Sequence, residues 1–201
     1  MTAIDPLSGC RLPPVARDAL DDRGRAVYDR QLDPANGSIV GLRGPTGIRL
    51  HAPAIAENAQ AMVHYFRTDS VLDAQTREIA IITTARAHDS QFEWAAHAPL
   101  AAKVGVDAAT IDAVRHDKPL DGLPERDALI IAIGRELFGE RRLCATLYDR
   151  AIARFGARGL VELVTLMAMY AGTATLLAAF DMRLPDGSAP DLPTSVHPPT
   201  P

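Results

Sequence analysis

Residues Arg77 to Gly105 read REIAIITTARAHDSQFEWAAHAPLAAKVG, and this stretch decides the fold. Ile79, Ile82 and Ala85 recur at helical spacing, with Ile81 beside them, and predict a helix from about Ala74 to His88. Ser70 and Asp73 form an S-x-x-D start signal ahead of it. Asp89-Ser90 breaks that helix, and a second is expected from Ser90 to about Val104, closed by Gly105 at a left-handed stop. The break can fold the second helix back antiparallel on the first. Glu93 and His97 are four apart, about 40° around the axis, so they share a face, and Glu78 lies on the preceding helix.

Carboxylates close to an imidazole orient it and raise its basicity, which suits a general acid or base working near neutral pH. The same residues also have a plain structural reading. Ser90-x-x-Glu93 is a capping box, Glu78 beside Arg77 fits an ordinary surface ion pair, and His97 near Phe92, Trp94 and Ala101 fits a satisfied core histidine. On spacing alone that structural reading stands slightly ahead.

Outside this hairpin the pattern stays helical. Val15, Ala19, Leu20, Val27 and Leu32 predict a helix over Val15–Leu32, weakened at Gly24 by up to about 1 kcal/mol relative to Ala. Pro34, Gly37, Gly41, Gly44, Pro45 and Gly47 mark a loop. Pro53 suits the first turn of a helix running through Ile55, Ala59, Met62, Val63 and Phe66. Asp107 is placed to cap a short helix ending near Arg115. After Pro124 a further helix buries Leu129, Ile130, Ile133, Leu137 and Phe138. Leu143–Phe155 is amphipathic and is followed by Gly156, and Leu160–Phe180 is a long apolar helix. No run alternates with period two, so the expected class is all-α, a single-domain helical bundle whose central hairpin carries the site. The expected boundaries are an extended N-terminal arm at 1–14, the helical domain at 15–185 and a Pro-rich flexible tail at 186–201.

At 201 residues the chain is long enough to bury a core. Its 21 basic and 25 acidic residues leave a net charge of −4 with no basic run, which argues against a nucleic-acid partner; an anionic small molecule needs a local arginine. The two cysteines, Cys10 and Cys144, sit in no CxxC or zinc-type spacing. Both are expected as reduced thiols, Cys144 part-buried and Cys10 in a loose arm, which suits the cytoplasm. MTAIDPLSGCRLPP lacks a basic start and an apolar core segment, so no secretory signal is expected. Leu160–Phe180 is about long enough to span a bilayer, but Glu162, three threonines and Gly172 favour a helix buried in the protein or between subunits. No membrane association is expected.

The order Arg77-Glu78-Ile79-Ala80-Ile81, then Glu93-Trp94-Ala95-Ala96-His97, Ala101 and Gly105, resembles the carboxymuconolactone decarboxylase family within the alkylhydroperoxidase-D-like superfamily. Gly44-Pro45, His51-Ala52-Pro53, Phe155-Gly156, Val161-Glu162-Leu163, Ala179-Phe180 and Leu184-Pro185 extend the resemblance over about Gly44 to Pro185. In the peroxidase branch of that superfamily a CxxC pair occupies the positions of Ser90 and Glu93. A thiolate and its resolving partner are what such peroxide reduction needs, so the resemblance points to the branch lacking the redox pair.

That branch implies a cofactor-free lyase or isomerase of the aromatic-acid-catabolic kind, acting on a small carboxylated lactone or related enolisable acid. His97 would then donate or shuttle the proton, Glu93 would orient it, and Glu78 would hold the adjacent position or exchange the proton. Arg86 is a candidate partner for a substrate carboxylate, with His51, Ser90 and Trp94 edging the substrate; Arg86 fits a solvated charge equally well, and Trp94 fits core packing better. The resemblance also implies a closed homo-oligomer, first a trimer or its multiple and then a dimer. Two other classes stay open: a peroxidase of the superfamily, and a non-catalytic ligand-binding or assembly subunit. A metal held by Glu78, Glu93, His97 and His88 is a minority reading, and no metal is expected.

Overall fold

Four helices stop by the same local device. Ser90 N–H reaches Ala85 O and Asp89 N–H reaches Arg86 O, the paired bonds of a Schellman stop, with Asp89 at φ +50°. The same pairs close at Gly105 (Val106 to Ala101, Gly105 to Ala102), at Asp117 (Lys118 to Ala113, Asp117 to Val114) and at Asp181 (Met182 to Leu177, Asp181 to Ala178). Only Gly105 was legible as such a stop. Asp tolerates the left-handed region better than most residues, so three aspartates do the work usually given to glycine.

The computed structural model describes residues 3–36, 40–185 and 189–193. Among them there are helices and no strands, as the pattern requires. The helices are α1 Asp22–Leu32, α2 Pro45–Arg49, α3 Pro53–Thr68, α4 Ala74–Ala87, α5 Gln91–Lys103, α6 Ala108–Arg115, α7 Glu125–Gly139 and α8 Ala145–Ala179. Of the expected tail, residues 186–188 and 194–201 lie outside the described residues. The described residues group into two compact units, one formed by 3–36, 40–70 and 175–185, the other by 71–174 and 189–193.

In the first unit the expected Val15–Leu32 helix is divided. A 3₁₀ turn at Arg17–Ala19 precedes α1, because the Asp21 carboxylate accepts from Gly24 N–H and sets the helix start there. Within the expected loop, Pro45 opens the short α2. Leu20, Val27, Leu50 and Ala56 form this unit's core, with Val15, Tyr28 and Leu42 packed on it. The N-terminal arm is a folded turn. Asp5 accepts from Leu7 and Ser8 N–H, Gly9 N–H bonds Asp5 O, and Arg11 N–H and Phe180 O join it to the segment after α8. Cys10 is therefore buried, not loose, and Cys144 is the exposed thiol.

The second unit is built around α4, which packs on α5, α6 and α7. Asp73, rather than Ser70, caps it by accepting from Thr76 N–H. The spacing assigned α4 one apolar face, yet every residue from Ile79 to Ala85 is buried. A helix enclosed by neighbours has no solvent face, so small Ala and Thr complete the circuit. α8 includes both helices expected after Leu143, with Gly156 (φ +68°, ψ 174°) as the break between them. Its composition and length would suit a membrane span, but its buried Glu162 accepts from Val71 N–H at 2.9 Å and Arg158 Nε at 2.8 Å.

Gly134 on α7 permits the close approach to α4: a Cβ there would lie 2.6 Å from Thr83 Cγ2. Helix propensity alone favours Gly134→Ala by about 1 kcal/mol. Overpacking against a stiff β-branched neighbour outweighs it, and the variant is expected to lose about 1–3 kcal/mol. Urea denaturation checks this. Adding Thr83→Ser, which removes the clashing methyl, should recover most of the loss; a Gly134→Ala protein as stable as the parent contradicts the close packing.

Candidate active site

The Schellman turn at Asp89 allows only three residues between α4 and α5, so residues on either side of it face one another. Glu78, on the second turn of α4, meets His97, nineteen residues later on α5: His97 Nδ1 lies 2.8 Å from Glu78 Oε2. On its other edge, His97 Nε2 lies 3.9 Å from Glu93 Oε2. That second separation is too long for a direct hydrogen bond. All three side chains are largely withdrawn from solvent, at 11% exposure for His97, 15% for Glu78 and 5% for Glu93.

The geometry corrects the expected division of labour. The short, orienting contact to the imidazole comes from Glu78, whereas Glu93 stands beside the opposite nitrogen. The physical reason lies in reach. At i, i+4 on one helix the Glu93 and His97 side chains run alongside each other, while Glu78 approaches the ring from a separate helix. With Glu78 ionised, Nδ1 carries the hydrogen and donates, which leaves Nε2 as the nitrogen facing Glu93.

Glu93 is not the capping residue that the Ser90-x-x-Glu93 spacing suggests. Ser90 N–H is given to Ala85 O, and the Ser90 side chain makes no capping bond to α5. Tyr170 of α8 supplies a member that sequence reasoning missed: its ring meets His97 edge-to-face, centroids 5.1 Å apart at 87°. Only its position inside an apolar helix signalled it, and that signal reads equally as core. Pro99 lies within α5, two residues past His97, and takes one backbone donor out of the helix there.

The remaining candidates are placed otherwise. Arg86 pairs with Asp89 at 2.6 Å and Asp117 at 2.9 Å, so two carboxylates already meet its charge. Ser90 is buried at the head of α5. Trp94 is fully buried, and its only donor, Nε1, is given to Asp191 Oδ2 at 2.9 Å; it packs in the core rather than edging a substrate. His51 belongs to the first unit, exposed, with Nε2 3.0 Å from Pro13 O. His88 meets the Phe138 ring edge-on, and burial lowers its basicity, against a smaller opposing pull from Asp89. Among the described residues no three His, Cys, Asp or Glu side chains converge as a metal-holding group.

The site is thus an all-helical hairpin presenting a buried imidazole between two carboxylates. Residues 52–133 match the model of the carboxymuconolactone decarboxylase family, the family that the residue pattern resembles. The matched segment contains Glu78, Glu93 and His97, whereas Tyr170 and Asp191 lie beyond it. No curated protein matches the chain.

Neither thiol stands at Ser90 or Glu93, the hairpin positions that a redox pair would occupy, and their exposures differ sharply. A thiol reagent is expected to titrate one equivalent, Cys144, in the native protein and the second, Cys10, only after denaturation. Two fast equivalents in the native state would contradict the burial of Cys10.

Proposed function

We propose that this protein is a cofactor-free lyase or isomerase that acts on a small carboxylated lactone or related enolisable acid by Glu/His acid–base chemistry. The observation that carries the reading is the buried Glu78–His97–Glu93 set, with the imidazole held by Glu78 at 2.8 Å and its other nitrogen turned toward Glu93. In the decarboxylation suggested by the family, the bond from ring carbon to carboxylate breaks and carbon dioxide leaves. Its electron pair enters the conjugated lactone as a dienolate, and carbon is then protonated. Nε2 of protonated His97 is the donor in this scheme. Glu78 balances the imidazolium and holds its ring, and Glu93, 3.9 Å from Nε2, returns the proton in this scheme once a side-chain rotation or one water closes that gap. Tyr170 limits rotation of the ring by its edge-to-face contact.

The absence of cysteine at Ser90 and Glu93 favours this chemistry over thiol-dependent peroxide reduction. We further propose a cytoplasmic closed homo-oligomer, a trimer or its multiple before a dimer. Supporting this, Val161 is 65% exposed on α8, and only 44% of that helix's most apolar window is buried within the chain.

The test is spectrophotometric turnover of 4-carboxymuconolactone and a panel of related acidic lactones. His97→Gln is expected to lower kcat by about 10²–10⁴-fold, as loss of a general acid does. Glu78→Gln should lower kcat with KM little changed, and Cys144→Ser should leave activity intact. Absence of turnover across the panel would sink the substrate class. Full activity in His97→Gln would sink the mechanism.

A further inference from the structure

Residues 190–193 read Pro-Asp-Leu-Pro, and the described part of the tail lies along α5 through contacts that read it residue by residue. Gln91 uses its whole side-chain amide on this segment. Its Oε1 accepts from Asp191 N–H at 3.0 Å and Leu192 N–H at 3.1 Å, and its Nε2 donates to Leu192 O at 2.8 Å. The Asp191 carboxylate receives Trp94 Nε1 at 2.9 Å and pairs with Arg115 at 2.7 Å, while the Arg115 guanidinium stands 5.5 Å over the Trp94 ring. Leu192 is buried, at 4% exposure. The pattern covers backbone, charge and apolar side chain in two consecutive residues.

We infer that Gln91, Trp94 and Arg115 form a recognition site for an Asp–Leu segment bent at Leu192, and that its occupant is residues 190–193 of this chain. The flanking prolines fit that role. Neither brings an N–H needing a partner, and each ring fixes its own φ, so less freedom is lost on docking. With the segment seated, Trp94 is fully buried and Asp191 accepts from its Nε1, so the buried indole donor is satisfied by the occupant. Gln91 and Trp94 sit about 60° apart around α5, and their face is turned roughly 110° from that of Glu93 and His97. The recognition site is therefore separate from the acid–base set, and the inference stands whether or not the proposed reaction is right.

Trp94 is the sole tryptophan, so its fluorescence reports occupancy directly. In the full-length Asp191→Ala/Leu192→Ala protein, Trp94 emission is expected to shift from the parent while far-UV circular dichroism stays helical. A synthetic Ala-Pro-Asp-Leu-Pro peptide should then restore the parent emission saturably. The same peptide with Asn for Asp should bind about tenfold more weakly or worse, because a charge-assisted pair is replaced by a neutral one. Unchanged emission in the double variant, no saturable peptide effect, or equal binding of the Asn peptide each overturns the inference. A check that leaves the tail intact is amide exchange: Asp191 and Leu192 N–H should be protected in the parent and lose protection in Gln91→Ala. Fast exchange at both amides in the parent would overturn it as well.

Discussion

The candidate site depends on one strained residue. Asp89 takes a left-handed conformation (φ +50°) so that Ser90 N–H can close on Ala85 O, and this turns the chain within three residues. A longer or looser connection would leave Glu78 and His97 on helices with no set relation. With it, a 2.8 Å contact joins residues nineteen positions apart. The cost of a non-glycine residue in this region, of order 1 kcal/mol or more, is offset by the bonds of the stop and by the Arg86–Asp89 pair at 2.6 Å.

The far end of the hairpin is tied by side chains. Gln75, in the first turn of α4, donates to Val104 O and Gly105 O at the end of α5, and Arg126 from the start of α7 donates to Gln75 Oε1 at 2.7 Å. Arg126 also pairs with the buried Asp127, whose other oxygen accepts from Thr110. Both ends of the α4–α5 pair are thus held, and the catalytic candidates sit between the two ties. A general acid gains from being held in this manner, since small misplacements of a proton donor cost rate steeply.

Family and chemistry rest on different residues. The family likeness rests on the matched segment 52–133. The proposed chemistry follows from Ser90 and Glu93 standing where the superfamily's peroxidases carry thiols, because a carboxylate beside an imidazole trades protons whereas a thiolate trades electrons. Glu93 would be an ordinary helix-start carboxylate if Ser90 N–H were unpaired. The Schellman stop takes that N–H, and the capping reading loses its donor.

Helix class, most helix starts and stops, and the shared face of Glu93 and His97 were legible in the chain, because caps, prolines, the Gly105 stop and the i, i+4 spacing act within one or two turns. The left-handed aspartates, the division of Val15–Leu32 and the short α2 escaped, since each depends on a particular cap or loop bond that residue pattern leaves open. Tertiary structure decided the rest. It enclosed α4 on all sides, gave the orienting contact to Glu78 rather than Glu93, brought Tyr170 to the imidazole, and seated Asp191 and Leu192 of the expected flexible tail on Gln91, Trp94 and Arg115. Those contacts join residues from 19 to 101 positions apart. Their partners are selected by packing and by the need to satisfy buried donors, neither of which leaves a period in the sequence.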